Sequence, residues 1–329
     1  MDNDSLMSLL PLFTAENVPE RGPEEADPPE RDWSVDSDAQ GLARPGGGLS
    51  RYSMLYIGEG YNTIMLIDRG KIIWTYSTEP GWEYDDIWML RNGNIVFSRM
   101  SWVGEVTPDK RLVWRYDAEP GTEIHAVQPI DDRHLLMMVN GRPPRAVIID
   151  RTTSGIVKEM EVPCDPSVSV HGQFRRIRYT ANHTLLVPHM TEEKVVEYDL
   201  DMHPIWQYDN VAGPWAAIRL KNGNTLISAE RENRTLEVTP AGETVWQLRM
   251  DDVDPAYRME ASQTCVRLAN GNTVLCSRGN KGETPQLLEV DANGHVVWSV
   301  YDWERLGPAT SVQILSEPGV SEIPGSCER

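Results

Sequence analysis

The sequence has few of the features that mark membrane, disulfide-rich and metal-binding proteins. No apolar run approaches the roughly 18 residues that a membrane-spanning helix needs. The cysteines are Cys164, Cys265, Cys276 and Cys327, and they lack the CxxC spacing of a zinc site. Cys265 and Cys276 flank a predicted hairpin, where a disulfide and a pair of buried thiols both remain open.

Basic residues are in deficit: the 329 residues hold 31 Lys and Arg against 50 Asp and Glu, for a net charge of −19. This charge repels phosphate backbones and anionic lipid surfaces, so we expect no nucleic-acid partner and no membrane insertion. Asp2 and Asp4 stand where an export signal needs positive charge. The location stays open: exported if a signal was removed, otherwise cytoplasmic.

Phenylalanine is scarce at 3, whereas Trp and Tyr number 11 each. Rings with a polar group suit strands that reach a surface.

One pattern recurs: a strand, an Asn-Gly turn, two more strands, and a last strand that ends in Trp; it is clearest in 217–246 and 265–298. The closing tryptophans are Trp74, Trp114, Trp206, Trp246 and Trp298, and a degenerate sixth copy falls at 155–160.

Four short antiparallel strands in each repeat of about 40–50 residues predict an all-β fold, a six-bladed β-propeller. The first copy offers three strands, and 311–315 supplies a fourth. We therefore expect the C-terminal strand to complete the first blade, which hides both sheet edges. The predicted organisation is an acidic Pro/Gly-rich extension at 1–50, the propeller at 51–316 and a tail at 317–329.

A site is expected at the channel mouth, where loops of variable length meet on a rigid scaffold. Alignment of the innermost strands puts Asp86, His125 and Arg175 at equivalent positions in consecutive blades, within one residue. The candidate catalytic residues are His125, His171, Tyr84 and Asp86. Histidine titrates near neutral pH and suits acid or base catalysis, but a structural histidine bonded to a channel carbonyl is equally compatible.

The loops between second and third strands add positive charge, which favours an anionic small molecule as ligand. The candidate binding residues are Arg142, Arg175, Arg278, Trp82, Trp215, Gln263 and Trp303. The competing interpretation is that the arginines are solvated and paired with nearby acids, and that the tryptophans pack in the channel. No metal-ligand spacing is recognisable, so no metal and no cofactor are predicted.

The run from Asn222 to Leu226, then 237–240 and Val245-Trp246, resembles the blades of bacterial arylsulfotransferase-like and quinoprotein-like (PQQ-like repeat) propellers. The resemblance extends over about residues 53–315 and implies the propeller fold. Arylsulfotransferases use a channel histidine as nucleophile, with histidine and arginine support. The resemblance thus implies such a role for His125, His171 and Arg175.

Three functions fit the sequence. The first is a lyase or glycosidase on an acidic saccharide, in which Arg142 or Arg278 neutralises a uronate carboxylate. One histidine then removes the acidified proton, and Tyr84 or the other histidine protonates the leaving oxygen. The second is sulfuryl transfer through a histidine nucleophile. The third is a glycan-binding or protein-interaction scaffold without catalysis. The oligomeric state is not predicted.

Overall fold

The computed structural model describes residues 5–14, 16–28, 45–279 and 282–329. It is a ring of six antiparallel four-stranded sheets, which confirms the predicted propeller. In blades 2 to 6 the chain runs from the innermost strand to the outermost strand. Blade 2 has β4 (Ile87–Met89), β5 (Ile95–Ser98), β6 (Trp102–Val106) and β7 (Leu112–Asp117); blade 3 has β8 (Glu123–Pro129), β9 (His134–Asn140), β10 (Arg145–Asp150) and β11 (Gly155–Glu161); blade 4 has β12 (Arg178–Tyr179), β13 (Leu185–His189), β14 (Lys194–Tyr198) and β15 (Pro204–Tyr208); blade 5 has β16 (Pro214–Arg219), β17 (Thr225–Ala229), β18 (Arg234–Val238) and β19 (Thr244–Arg249); blade 6 has β20 (Ser262–Arg267), β21 (Thr273–Ser277), β22 (Leu287–Val290) and β23 (Val296–Val300).

Blade 1 joins the two ends of the propeller. Its outer strands are β1 (Met54–Gly58), β2 (Tyr61–Asp68) and β3 (Lys71–Ser77), and its innermost strand is β24 (Ser311–Ile314). The pairing runs antiparallel, with Met54 opposite Ile314 and Ile57 opposite Ser311. The predicted closure of the ring is thus confirmed, because β24 supplies the innermost strand that the first repeat lacks.

The Asn-Gly turns connect first and second strands as expected. In blade 5 Gly223 has φ +89°, a conformation that glycine adopts without a steric penalty. Asn222 and Asn224 of this turn both donate to the Glu237 carboxylate on β18, at 3.0 and 2.7 Å. Glu237 also pairs with Arg267 of the next blade at 2.9 Å. One buried carboxylate therefore links a turn, its own blade and the neighbouring blade.

The closing tryptophans of blades 1, 2, 4 and 5 each donate a hydrogen bond to the following blade. Trp74 donates through Nε1 to the Pro108 carbonyl in the third turn of blade 2, at 2.8 Å. Trp206 does the same to the Pro240 carbonyl of blade 5, at 3.0 Å. In blade 6 the acceptor is Gly48, which precedes the propeller. The degenerate copy is blade 3, whose outer strand β11 contains no tryptophan.

The described parts of the extension pack on the outside of the ring. The 3-10 helix Leu6–Phe13 buries Phe13 edge-on against Trp74, with the ring centres 5.6 Å apart. Lys110 of blade 2 is buried, donates to the Glu20 carbonyl at 2.7 Å and pairs with Glu25 at 3.4 Å. The other described 3-10 helices are Pro45–Ser50, Val170–Gly172, Glu230–Glu232, Met250–Asp252 and Pro255–Tyr257. Residues 29–44 of the predicted extension lie outside the described chain.

Buried charges occupy the channel between the innermost strands. Asp86 is fully buried and accepts from Arg178 Nη1 and Nη2 at 2.7 and 3.2 Å. Arg176 lies 4.0 Å from the same carboxylate, and Arg329 enters the channel to donate to the Ile87 carbonyl. Burial alone would raise the pKa of Asp86, but the guanidinium charges outweigh it and hold this pKa below its ordinary value.

The cysteines carry no disulfide in the described structure. Cys265 and Cys276 are both buried and free, so the open alternative resolves as a pair of thiols. None of the described helices has the length and hydropathy required to cross a bilayer.

Candidate functional site

Inner strands of three blades carry a local distortion on the face where the variable loops meet. Pairing between β8 and β9 skips His125, pairing between β16 and β17 skips Trp215, and pairing between β20 and β21 shifts at Gln263. A bulge of this kind turns the extra side chain out of the regular alternation, and such bulges are common beside active sites. The irregular strand starts therefore direct polar side chains to the channel mouth.

Two histidines meet at this mouth. Their rings lie edge to face with centres 5.4 Å apart. Glu123 joins them: its Oε2 is 2.8 Å from His125 Nε2 and 3.0 Å from His171 Nδ1. Burial alone would raise the pKa of Glu123, but its hydrogen bonds to both imidazoles and their charge lower it to about 2. Glu123 is thus an ionised carboxylate that orients two rings.

The two histidines differ in what they can contact. His125 is fully buried, and its second nitrogen, Nδ1, is 2.9 Å from Asp85 Oδ2. Burial lowers the pKa of His125, yet the neighbouring Asp85 charge outweighs this and raises it above the ordinary value. The His171 side chain is 48% exposed, so it is the imidazole that a molecule in the mouth reaches.

Arg175 completes the histidine cluster. Its Nη2 is 2.7 Å from His171 Nε2, and its guanidinium lies 5.1 Å from the centre of the Trp215 ring. Arginine only donates, so Nε2 of His171 is the acceptor and Nδ1 carries the proton donated to Glu123. Nε2 of His171 is therefore a lone-pair nitrogen.

A second group of side chains adjoins the first. Gln263 is fully buried and donates to Glu59 Oε1 at 2.8 Å. Arg278 lies 3.6 Å from Glu59 and 3.5 Å from Glu230. Burial and the charges of Glu83 and Asp85 raise the pKa of Glu59 to about 7, and burial and Asp85 do the same for Glu83. Glu59, Glu83 and Arg278 line an open cleft together with Trp82 and Trp303.

The structure brings together several of the predicted site residues. His125, His171 and Arg175 form one cluster, with Trp215 stacked beneath Arg175. Gln263 and Arg278 both contact Glu59. Trp82 lies at the cleft with 48% of its surface exposed. Trp303 lines the same cleft, although it is 1% exposed and donates to the Thr284 carbonyl.

Three predicted residues lie elsewhere. Tyr84 is fully buried, and its hydroxyl is 2.7 Å from Thr78, so it does not face a ligand in the mouth. Asp86 pairs with Arg178 in the channel; Asp85, one residue earlier, is the carboxylate at His125. Arg142 donates to the backbone carbonyls of Pro166 and Val168 and so ties a loop together.

The described part of the mouth does not carry the positive charge that the loop arginines predict. Several loop arginines are paired with nearby acids, as the competing interpretation supposed: Arg145 with Glu119 and Glu159, Arg231 with Glu193, and Arg234 with Glu232. Carboxylates outnumber guanidinium groups in the described part of the mouth. Sequence reasoning missed Glu59, Glu83 and Glu123, because a glutamate in an exposed loop is indistinguishable from a solvated charge until the loops are placed.

Comparisons with known proteins show the fold and no family. No family model matches the chain, and no curated protein sequence matches it. A protein of unknown function from Bacteroides caccae superposes with a TM-score of 0.72 at 23% identity, over 79% of this chain and 97% of that chain. A catalytically inactive histidine-to-alanine variant of virginiamycin B lyase from Staphylococcus aureus, with quinupristin, gives a TM-score of 0.57 at 13% identity, over 79% and 88%.

The fold also occurs in a different setting. The propeller domain of Cps50 (Swd1) from Myceliophteria thermophila gives a TM-score of 0.54 at 12% identity, over 81% of this chain and 89% of that chain. The chain is therefore similar to propellers that carry different descriptions. At these identities the similarity shows a shared fold and nothing more. No family model supports the arylsulfotransferase-like part of the expected resemblance.

Proposed function

We propose that the mouth is the active site of a lyase that acts on a carboxylate-bearing substrate, with an acidic saccharide as the expected class. The observation that carries the proposal is the chain of contacts Glu123–His171–Arg175. It contains a half-exposed imidazole, an ionised carboxylate that fixes its tautomer, and a guanidinium at its lone-pair nitrogen. An oriented base of this kind is what proton abstraction next to a carboxylate requires.

Arg175 gives the site a way to respond to its substrate. A carboxylate is a stronger acceptor for a guanidinium than a neutral imidazole nitrogen is. A substrate carboxylate that takes over the Arg175 donors therefore frees Nε2 of His171. The same contact draws charge from the substrate carboxylate and so acidifies the neighbouring C–H bond.

The elimination then needs no oxidant or reductant. His171 Nε2 takes the proton from the carbon beside the carboxylate, and that electron pair forms the new C=C bond. The bond from the next carbon to the leaving oxygen breaks, and the imidazolium returns its proton to that oxygen. Glu123 stabilises the imidazolium while it exists, because it is ionised and 3.0 Å from Nδ1.

The named neighbours give the proposal a precedent on this architecture. Virginiamycin B lyase is an enzyme of the lyase class, and its inactive form carries a histidine-to-alanine substitution. Trp82, exposed at the cleft, adds an aromatic face of the kind on which sugar rings stack. These likenesses support the reaction class; the substrate class rests on Arg175 and the cleft.

The test is turnover on a panel of uronate polymers, followed by ultraviolet absorbance of the unsaturated product. Wild type should produce it, and His171→Ala should lower kcat by about 10²–10⁴-fold, the usual contribution of general acid–base catalysis. His203→Ala is the matched control, because His203 is exposed and hydrogen-bonded only to Asp199 among the contacts described for its ring. Binding without turnover in wild type would overturn the lyase and leave the glycan-binding alternative. Release of phenol from an aryl sulfate, abolished in His171→Ala, would replace it with sulfuryl transfer.

A further inference from the structure

Three carboxylates converge at the mouth, one from blade 1 and two from the segment that leads into blade 2. Glu59 comes from the turn between β1 and β2, whereas Glu83 and Asp85 come from the segment that precedes β4. One oxygen of each lies within 4.8 Å of the other two. Like charges held this close in a shielded place repel one another unless a positive charge lies between them.

The hydrogen bonds around the three carboxylates leave oxygens unused. Asp85 and Gln263 are both 0% exposed, and neither Asp85 Oδ1 nor Gln263 Oε1 has a hydrogen-bond partner. The buried Oε2 of Glu83 also lacks one. The Gln263 amide nitrogen donates to Glu59, which places its unpartnered carbonyl oxygen beside the same group. Buried acceptors are normally satisfied, so these oxygens point to a ligand.

We propose that Glu59, Glu83 and Asp85 bind a divalent cation, with the Gln263 side-chain oxygen as a further ligand. Carboxylate and amide oxygens are the donors that hard cations take, and neither sulfur nor nitrogen is needed. Ca²⁺ is the expected ion, because it accepts many protein oxygens in flexible geometry, while Mg²⁺ usually retains several waters. No spacing signal in the sequence marks this site, since its ligands lie at positions 59, 83, 85 and 263.

A neighbouring group of possible ligands fits less well. Glu83, His125 and His171 also bring one ligand atom each within 4.8 Å. Both ring nitrogens of His125 are hydrogen-bonded to carboxylates, and those of His171 contact Glu123 and Arg175. A metal there would have to break these contacts. In the oxygen site Asp85 Oδ1, Glu83 Oε2 and Gln263 Oε1 have no hydrogen-bond partner, so only the Glu59 carboxylate has contacts to share with an ion.

The ion would also supply the positive charge that the paired loop arginines do not. Glu83 lies 3.6 Å from Nε2 of His171, so a cation on Glu83 is next to the base. A substrate carboxylate bound between the cation and Arg175 would have its charge neutralised from two sides. This role of the ion depends on the proposed lyase function; the binding site itself does not.

The experiment is calorimetric titration of chelator-treated full-length protein with CaCl₂, and in separate arms with MgCl₂ and MnCl₂. We expect one Ca²⁺ per chain and an upward shift of the melting temperature on Ca²⁺ addition. Glu59→Gln should weaken binding by at least about tenfold, since loss of even an outer-shell partner costs that much. Glu230→Gln is the matched control: it also faces Arg278, its side chain is 15% exposed against 13% for Glu59, and it is not a ligand.

A second variant guards against misfolding. If Glu59→Gln does not fold, Glu83→Gln is titrated in its place, with circular dichroism as the check. The absence of binding of all three ions by wild type up to about 1 mM would overturn the site. Equal affinity in wild type and in a folded ligand variant would overturn it too, because the ion would then bind elsewhere. His171→Ala should bind Ca²⁺ like wild type, because His171 is not a ligand of the ion. Ca²⁺ binding by wild type without turnover of any uronate polymer would reject the lyase and retain the site.

Discussion

Replacing Asp86 with asparagine should destabilise the propeller strongly, although the change is nearly isosteric. The carboxylate is fully buried, accepts two hydrogen bonds from Arg178 and lies 4.0 Å from Arg176. A neutral amide at this position would leave the guanidinium groups of the channel without their counter-charge. Loss of one partner of a buried ion pair costs about 3–5 kcal/mol, which is a large part of a typical domain stability of about 5–15 kcal/mol.

The loss of stability in Asp86→Asn should also depend on pH. The pKa of Asp86 is below its ordinary value in the folded protein, so its contribution is complete above the unfolded pKa of about 4. It is lost as the pH falls through the lower folded value. The difference in unfolding free energy between wild type and Asp86→Asn should therefore be full at neutral pH and shrink below about pH 4.

Equilibrium urea unfolding, followed by tryptophan fluorescence at several pH values, measures this difference. Asp117→Asn is the control: Asp117 pairs with Arg115 at 2.5 Å, but its side chain is 64% exposed. That exposed pair should contribute about 0–1 kcal/mol. A loss for Asp86→Asn no larger than for Asp117→Asn would refute the reasoning, and so would a difference that stays constant through the acid range.

Two further perturbations test the connections around the ring. Glu237→Gln removes the charge that joins the Asn222–Asn224 turn to the next blade; it should lower the urea stability by about 1.5–3 kcal/mol, with exposed Glu243→Gln near zero. Lys110→Ala removes the buried ammonium that holds residues 20–25; limited proteolysis within that segment should accelerate about tenfold, and an unchanged cleavage rate would show that other contacts hold it.

The fold was predictable because each blade repeats the same local signals. Asn-Gly turns and closing tryptophans are read from short windows, and blade 3 was located by the gap that its missing tryptophan leaves. Even the closing strand β24 followed from counting, since the first repeat is one strand short. Such signals are local in the chain, and their repetition in successive blades makes them easy to recognise.

The candidate site was predictable only in part. Asp86, His125 and Arg175 stood out because their residue types are unusual at the start of an inner strand, and His171 because it lies in the segment before one. Asp86 was predicted at the mouth, but Asp85 is the carboxylate that contacts His125, because strand alternation alone does not fix which of two adjacent acids faces the mouth. Glu59 and Gln263 are 204 residues apart in sequence, so no window of the sequence relates them.

The pairing of β1 with β24 has a consequence for synthesis on the ribosome. A nascent chain has finished Met54–Gly58 long before it reaches Ser311–Ile314, so the first blade must wait, one strand short, while the other five are made. Until β24 is made, β1 keeps an unpaired edge that is open to wrong partners. We expect emergence of β24 from the ribosome to be the event that completes the toroid, and chaperone dependence to concentrate in the interval before it.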